Sequence, residues 1–136
     1  MRIMIDTNIL VSAILFPNSK LSLLIWDITE RHELILCSHI IEEVHIVFER
    51  KFKDKIKYLE EFLSELNYEL IYTPKKFDMS KYPSIRDPKD LPILISAING
   101  NVDILVTGDK DFHDIDIDLP DIMTPSDYLT KRSDFS

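Results

Sequence analysis

A chain of 136 residues has the length of one ordinary domain, and its 45% apolar residues are enough for a full core. No stretch approaches the roughly 20 apolar residues that a membrane span requires, and the N-terminal MRIMIDTNIL lacks the separate charged and apolar regions of a secretory leader, so neither membrane nor export is expected. The formal charge of −8 speaks against a surface given over to phosphate contacts.

That charge is polarised along the chain. Residues 84–136 hold eleven Asp against five Lys or Arg, whereas residues 50–57, RKFKDKIK, hold five basic groups and one acid. An acidic half suits cations, and a basic run containing Arg50, Lys51 and Lys53 suits phosphate. The single cysteine, Cys37, lies in the apolar run ELILCS and reads as a small buried side chain rather than half of a disulfide, which points to a cytoplasmic protein.

In chain order, Ile3–Thr7 is short, β-branched and apolar, and stops at Asp6-Thr7-Asn8; it reads as a strand whose C-terminal end is Asp6. NILVSAIL and LSLLIWDITER read as helices, the second capped by Ser19. Glu33–Cys37 is a buried-type strand. Ser38 is placed to cap the next helix, where Ile40, Ile41, Val44, Val47 and Phe48 recur at helical spacing. DKIKYLEEFLSEL is a further amphipathic helix, and Tyr68–Thr73 a third strand ended by Pro74.

Residues 74–88 read as loop. Asp87 or Pro88 then opens a helix through LPILISAING, with Pro92 in its first turn and Gly100 or Asn101 at its end. Asp103–Thr107 is a fourth strand, Ile122–Thr124 a short last one, and Ser126–Leu129 a terminal helix, with residues 130–136 as a frayed tail. The alternation of strands and helices, with strands apolar on both faces, predicts a single α/β domain over residues 1–136: a central parallel sheet of four to five strands with helices on both faces.

In such a sheet ligands bind beyond the C-terminal ends of the strands. Asp6 and Asp109 both follow an apolar strand directly and so belong to that edge. Glu43, about one and a half turns into the helix after the second strand, and Asp90, near the start of the helix before the fourth, lie on elements that begin there. Taken singly, each acid is also what a turn or a helix N-terminus calls for. Carboxylates gathered on one edge repel unless a cation lies between them, and oxygen ligands favour a hard ion such as Mg²⁺ or Mn²⁺. Acids around such ions are a device for hydrolysing phosphodiesters. Asp111, Asp114, Asp116 and Asp118 read mostly as a solvated loop.

At these residues the chain resembles the PIN domain family, and within it the ribonuclease toxins of prokaryotic toxin–antitoxin pairs. The resemblance runs from Ile3 to about Leu129. It is carried by Ile5-Asp6-Thr7-Asn8 with the following ILVSAIL, by Ser38 through Glu43-Val44 to Val47-Phe48 and Arg50-Lys51-Phe52, by Asp87-Pro88-Lys89-Asp90 with Ala97, and by Val106-Thr107-Gly108-Asp109-Lys110-Asp111-Phe112. Asp-Thr-Asn alone is unspecific; the four motifs in order are specific.

The resemblance implies a Rossmann-like fold and a metal-dependent ribonuclease. It assigns Asp6, Glu43, Asp90 and Asp109 to the acidic quartet, Asn8 and Thr107 to polar positions that orient the acids, and Asp111 to an auxiliary acid. The Val44, Val47 and Arg50 register selects Glu43 over Glu42, whereas Asp87 stays a rival to Asp90 because Pro92 disturbs the helix start. An RNA substrate, an antitoxin partner and a homodimer are implied with it. The helical stripes Leu21–Ile28 and Ile56–Leu66 are surfaces for a partner or, more simply, core.

Other classes fare worse. A haloacid-dehalogenase-like phosphatase needs Asp-X-Asp, and Asn8 stands at the third position. A phosphoacceptor receiver needs an Asp at the end of a middle strand, where this chain has Tyr72-Thr73. An inactive PIN-like binding module is the remaining alternative, and it gives no reason for four converging acids.

Overall fold

The computed structural model describes residues 1–131. The elements in chain order are β1 (Arg2–Ile5), α1 (Thr7–Leu15), α2 (Lys20–Arg31), β2 (Glu33–Cys37), α3 (Ser38–Lys51), α4 (Ile56–Glu65), β3 (Glu69–Ile71), α5 (Leu91–Asn99), β4 (Ile104–Val106), α6 (Lys110–His113), β5 (Asp121–Met123) and α7 (Pro125–Lys131). All neighbouring strands are parallel, in the order β3-β2-β1-β4-β5. Successive side chains of a strand point to opposite faces. Ile3, Met4 and Ile5 are all fully buried, so both faces of the sheet are covered by helices.

Placing β1 between β2 and β4 is the decision that makes the site. The chain lays β2 and β3 to one side of β1, then crosses back to put β4 and β5 on the other. The order therefore reverses between β1 and β4, and the connections leaving their C-terminal ends diverge there and open a crevice. Ile5 pairs with Val106, so the next residues, Asp6 and Thr107, emerge side by side.

The local signals explain most boundaries. Asp6 caps α1, its side chain accepting from the Ile9 amide, and Ser19 caps α2 in the same way from the Ser22 amide. Leu24, Ile25, Ile28 and Leu59 are fully buried, so much of the two stripes offered to a partner is core. Gly100 ends α5 where an added Cβ would lie 2.6 Å from the Ile71 side chain, and Asn101 takes the left-handed conformation (φ 54°) beyond it.

Several expectations need correction. Ser38 is the first residue of α3 rather than its cap; Cys37 holds that position, and the Ser38 hydroxyl accepts from the Thr73 amide at 2.9 Å, tying α3 to the end of β3. The third strand is only Glu69–Ile71, and Glu69 and Leu70 are exposed, because an edge strand is covered less than a central one. Asp87 caps a separate 3-10 turn, Pro88–Asp90, before α5 begins at Leu91, so Pro92 does set the helix start. Lys110–His113 is helical, not loop. Thr130 and Lys131 complete α7, and the rest of the expected tail, from residue 132, lies outside the described residues. Among the described residues no single helix is long and apolar enough to cross a membrane.

Candidate functional site

Four carboxylates from four separate parts of the chain line one pocket at the reversal point. Asp6 after β1, Glu43 on α3, Asp90 before α5 and Asp109 after β4 surround a volume of about 120 Å³, together with Thr7, Asn8, Val47, Ile93 and Phe112. Asp6 is the most enclosed, 6% exposed. Its Oδ1 accepts from the Ile9 amide at 3.0 Å, and its Oδ2 accepts from the fully buried Thr107 hydroxyl. The same Thr107 oxygen accepts from the Asp109 amide at 3.0 Å. One side chain at the end of β4 thus fixes the acids of both strands. Asp109 in turn caps α6, its Oδ1 accepting from the Asp111 amide at 2.9 Å.

Glu43 is held by Thr7, whose hydroxyl donates to its Oε1 at 2.7 Å. His39 Nε2, one turn earlier on α3, lies 3.5 Å from the same oxygen without a hydrogen bond between them. Glu42 points into a neighbouring groove instead. Asp90 and Asp87 are not exclusive alternatives: carboxylate oxygens of Asp87, Asp90 and Asp111 lie within 4.8 Å of one another, and Asp90 alone belongs both to this group and to the four-acid pocket. Asp111, expected in a solvated loop, is half-buried because α6 turns it inward; its nearest cation is the exposed Arg86, 3.8 Å away.

The electrostatics are those of an uncompensated site. Burial pushes the Asp6 carboxyl up, against the hydrogen bonds from Thr107 and Ile9, and the charges of Asp109 and Glu43 add to the rise. Asp90 is pushed up to about 7, first by burial, then by the charges of Asp109 and Asp87, by its contact with Asp109, and by Asp111. Its Oδ2 is shielded from solvent and has no hydrogen-bond partner among the described residues. An orphaned carboxylate oxygen among like charges, in a pocket whose donors are all oxygen, fits a hard divalent cation.

The remaining predicted residues lie further out. The exposed Asn8 reaches the pocket rim, but its side chain makes no hydrogen bond to the described residues. Arg50 lies on the same helical stripe as Glu43 and Val47, about 10 Å further along α3; Lys51 ends that helix and Lys53 opens the 3-10 turn after it. All three are exposed and none lines the pocket. Thr7 and His39 were missed. Thr7 stands inside the Asp-Thr-Asn motif, but its partner is visible only once α1 and α3 pack together.

A family model described as PIN domain matches residues 2–111. The chain belongs to the PIN domain family. A chain from the crystal structure of VapBC2 from Rickettsia felis bound to a DNA fragment from their promoter has the same fold as this PIN domain, with a TM-score of 0.67 and 24% identity over 91% of this chain and 97% of that one. No curated protein sequence matches. In this PIN domain the quartet named by the sequence motifs lines one pocket, and the Thr107 and Thr7 hydroxyls hydrogen-bond to Asp6 and Glu43 in it.

Proposed function

We propose that this PIN domain is a metal-dependent endoribonuclease, the toxin of a toxin–antitoxin pair, acting in the cytoplasm with Mg²⁺ or Mn²⁺. The observation that carries the reading is the convergence of Asp6, Glu43, Asp90 and Asp109 on one small pocket with no Lys or Arg paired to any of the four among the described residues. A bound divalent cation supplies Lewis-acid chemistry, lowering the pKa of water and offsetting the charge that builds on a phosphodiester. The protein's own groups do the positioning. Thr107 holds Asp6 Oδ2 and the Asp109 amide in fixed relation, and Thr7 orients Glu43 Oε1. Burial and the charges of Asp109 and Asp87 push the Asp90 carboxyl up to about 7, and a divalent cation held there would favour its ionised form.

Arg50, Lys51 and Lys53 offer charge to the RNA backbone from outside the pocket. The antitoxin and a homodimer are part of the same proposal; likeness in fold to a chain of VapBC2, a low-identity neighbour, supports the antitoxin only through the shared architecture and does not bear on the homodimer. The test is to incubate the purified protein with total RNA in EDTA, then with Mg²⁺ or Mn²⁺ restored. Cleavage only with metal is the expected result; full cleavage in EDTA contradicts metal dependence, and none under any condition contradicts the nuclease.

A further inference from the structure

The acid pocket is small, about 120 Å³. Immediately beside it lies a groove of about 730 Å³, within the range of small-ligand sites, bounded by His39 and Glu42 of α3, by Tyr72 and Lys75 after β3, by Phe77, and by Pro92 of α5. The two spaces share a wall: His39 lines the groove and reaches Glu43 Oε1 at 3.5 Å. The floor is tied down. The His39 amide donates to the Thr73 hydroxyl oxygen at 3.2 Å, the Thr73 amide donates to Ser38 Oγ at 2.9 Å, and the Ser96 hydroxyl donates to Thr73 Oγ1 at 2.8 Å.

Against that rigid floor Tyr72 stands out at 79% exposure, the most exposed large apolar side chain among the described residues. Folding gives no reason to display an aromatic ring there. Unpaired RNA is gripped by aromatic stacking combined with cations along the backbone, and Lys75 supplies an exposed cation in the same groove of a chain that is otherwise acidic.

We propose that this groove is the subsite for an unpaired nucleotide next to the scissile phosphate, its base stacked on Tyr72 and its backbone met by Lys75. The proposal rests on the ribonuclease reading.

The test uses the full chain in EDTA, where RNA is bound but not cut, and reads the fluorescence anisotropy of a short labelled single-stranded RNA. Tyr72→Ala is expected to weaken binding roughly 5- to 150-fold and Tyr72→Trp to retain it, since a stacked base is worth about 1–3 kcal/mol. Lys75→Ala is expected to flatten the salt dependence. With Mn²⁺ restored, Tyr72→Ala is expected to raise KM and leave kcat unchanged. The ring is exposed, so the melting temperature of each Tyr72 variant should match the wild type. If the wild type cleaves RNA and Tyr72→Ala binds it equally well, the subsite is overturned while the nuclease stands, and the groove is left to a protein segment. If the wild type neither binds nor cleaves RNA, both readings fall.

Discussion

The two edges of this sheet carry acids in similar number and treat them in opposite ways. At the N-terminal edge Arg2 sits among Glu33, Glu69 and Asp103. Its guanidinium meets Glu69 at 2.6 Å and Glu33 at 3.5 Å and donates to the Gly100 carbonyl, while its amide donates to Asp103 at 2.7 Å. Hydrogen bonding to Arg2 holds the Glu69 carboxyl below its ordinary value. At the C-terminal edge Asp6 and Asp90 are shifted the other way, chiefly by burial and then by one another's neighbours. One edge is a closed ion-pair network that ties the strand starts together. The other gathers four pocket acids that meet no Lys or Arg among the described residues, which is what a cation site would require.

The sharpest way to separate the edges is to neutralise each in turn. Asp6→Asn keeps the α1 cap, because an amide oxygen also accepts from the Ile9 amide, yet removes one of the four carboxylate charges of the pocket. RNA cleavage should fall by at least about 100-fold with no loss of thermal stability, since removing even a supporting group costs roughly 10–100-fold. Arg2→Ala should do the reverse, lowering the melting temperature and leaving kcat unchanged. Equal loss of cleavage in both variants would erase the distinction.

A smaller effect is expected from Thr107→Val, which keeps the volume but deletes the hydroxyl shared by Asp6 and the Asp109 amide. Activity should drop roughly 10–100-fold, and stability by about 1–3 kcal/mol, because buried groups lose their partner. Cleavage at the wild-type rate would show that the shared hydroxyl does not position the acids.

The smallest effect is on pH dependence in the absence of metal. Asp90 titrates near 7 in the folded chain against an ordinary value of 3.8. Between these values the folded state keeps a proton that the unfolded state has lost, so the stability of the metal-free protein falls as pH rises through that window. Asp90→Asn should flatten that part of the curve of melting temperature against pH in EDTA. Parallel curves for the two proteins would mean that Asp90 is not crowded by its neighbours.

How far the sequence reaches follows the same physics. Asp6 was legible because it directly follows β1, and Asp109 because it lies three residues beyond β4, and a parallel sheet brings strand ends to one edge. Glu43 and Asp90 needed the family's register, since nothing in a helical pattern alone says which of Glu42 and Glu43, or of Asp87 and Asp90, faces the crevice. α6 was missed because four residues carry no periodicity. Ser38 was misassigned because a hydroxyl beside a helix start serves a cap or a neighbouring strand equally well, and here Thr73 takes it. The bond from Thr7 to Glu43 and the contact of Asp111 with Asp87 and Asp90 depend on how separate elements pack, which no local pattern encodes.

The claim that one edge is a cation site and the other is not can be measured without any substrate. Mn²⁺ titration followed by calorimetry should show binding to the wild type and to Arg2→Ala, and its loss in the Asp6→Asn/Asp109→Asn double variant. Undiminished Mn²⁺ binding by that double variant would contradict the account.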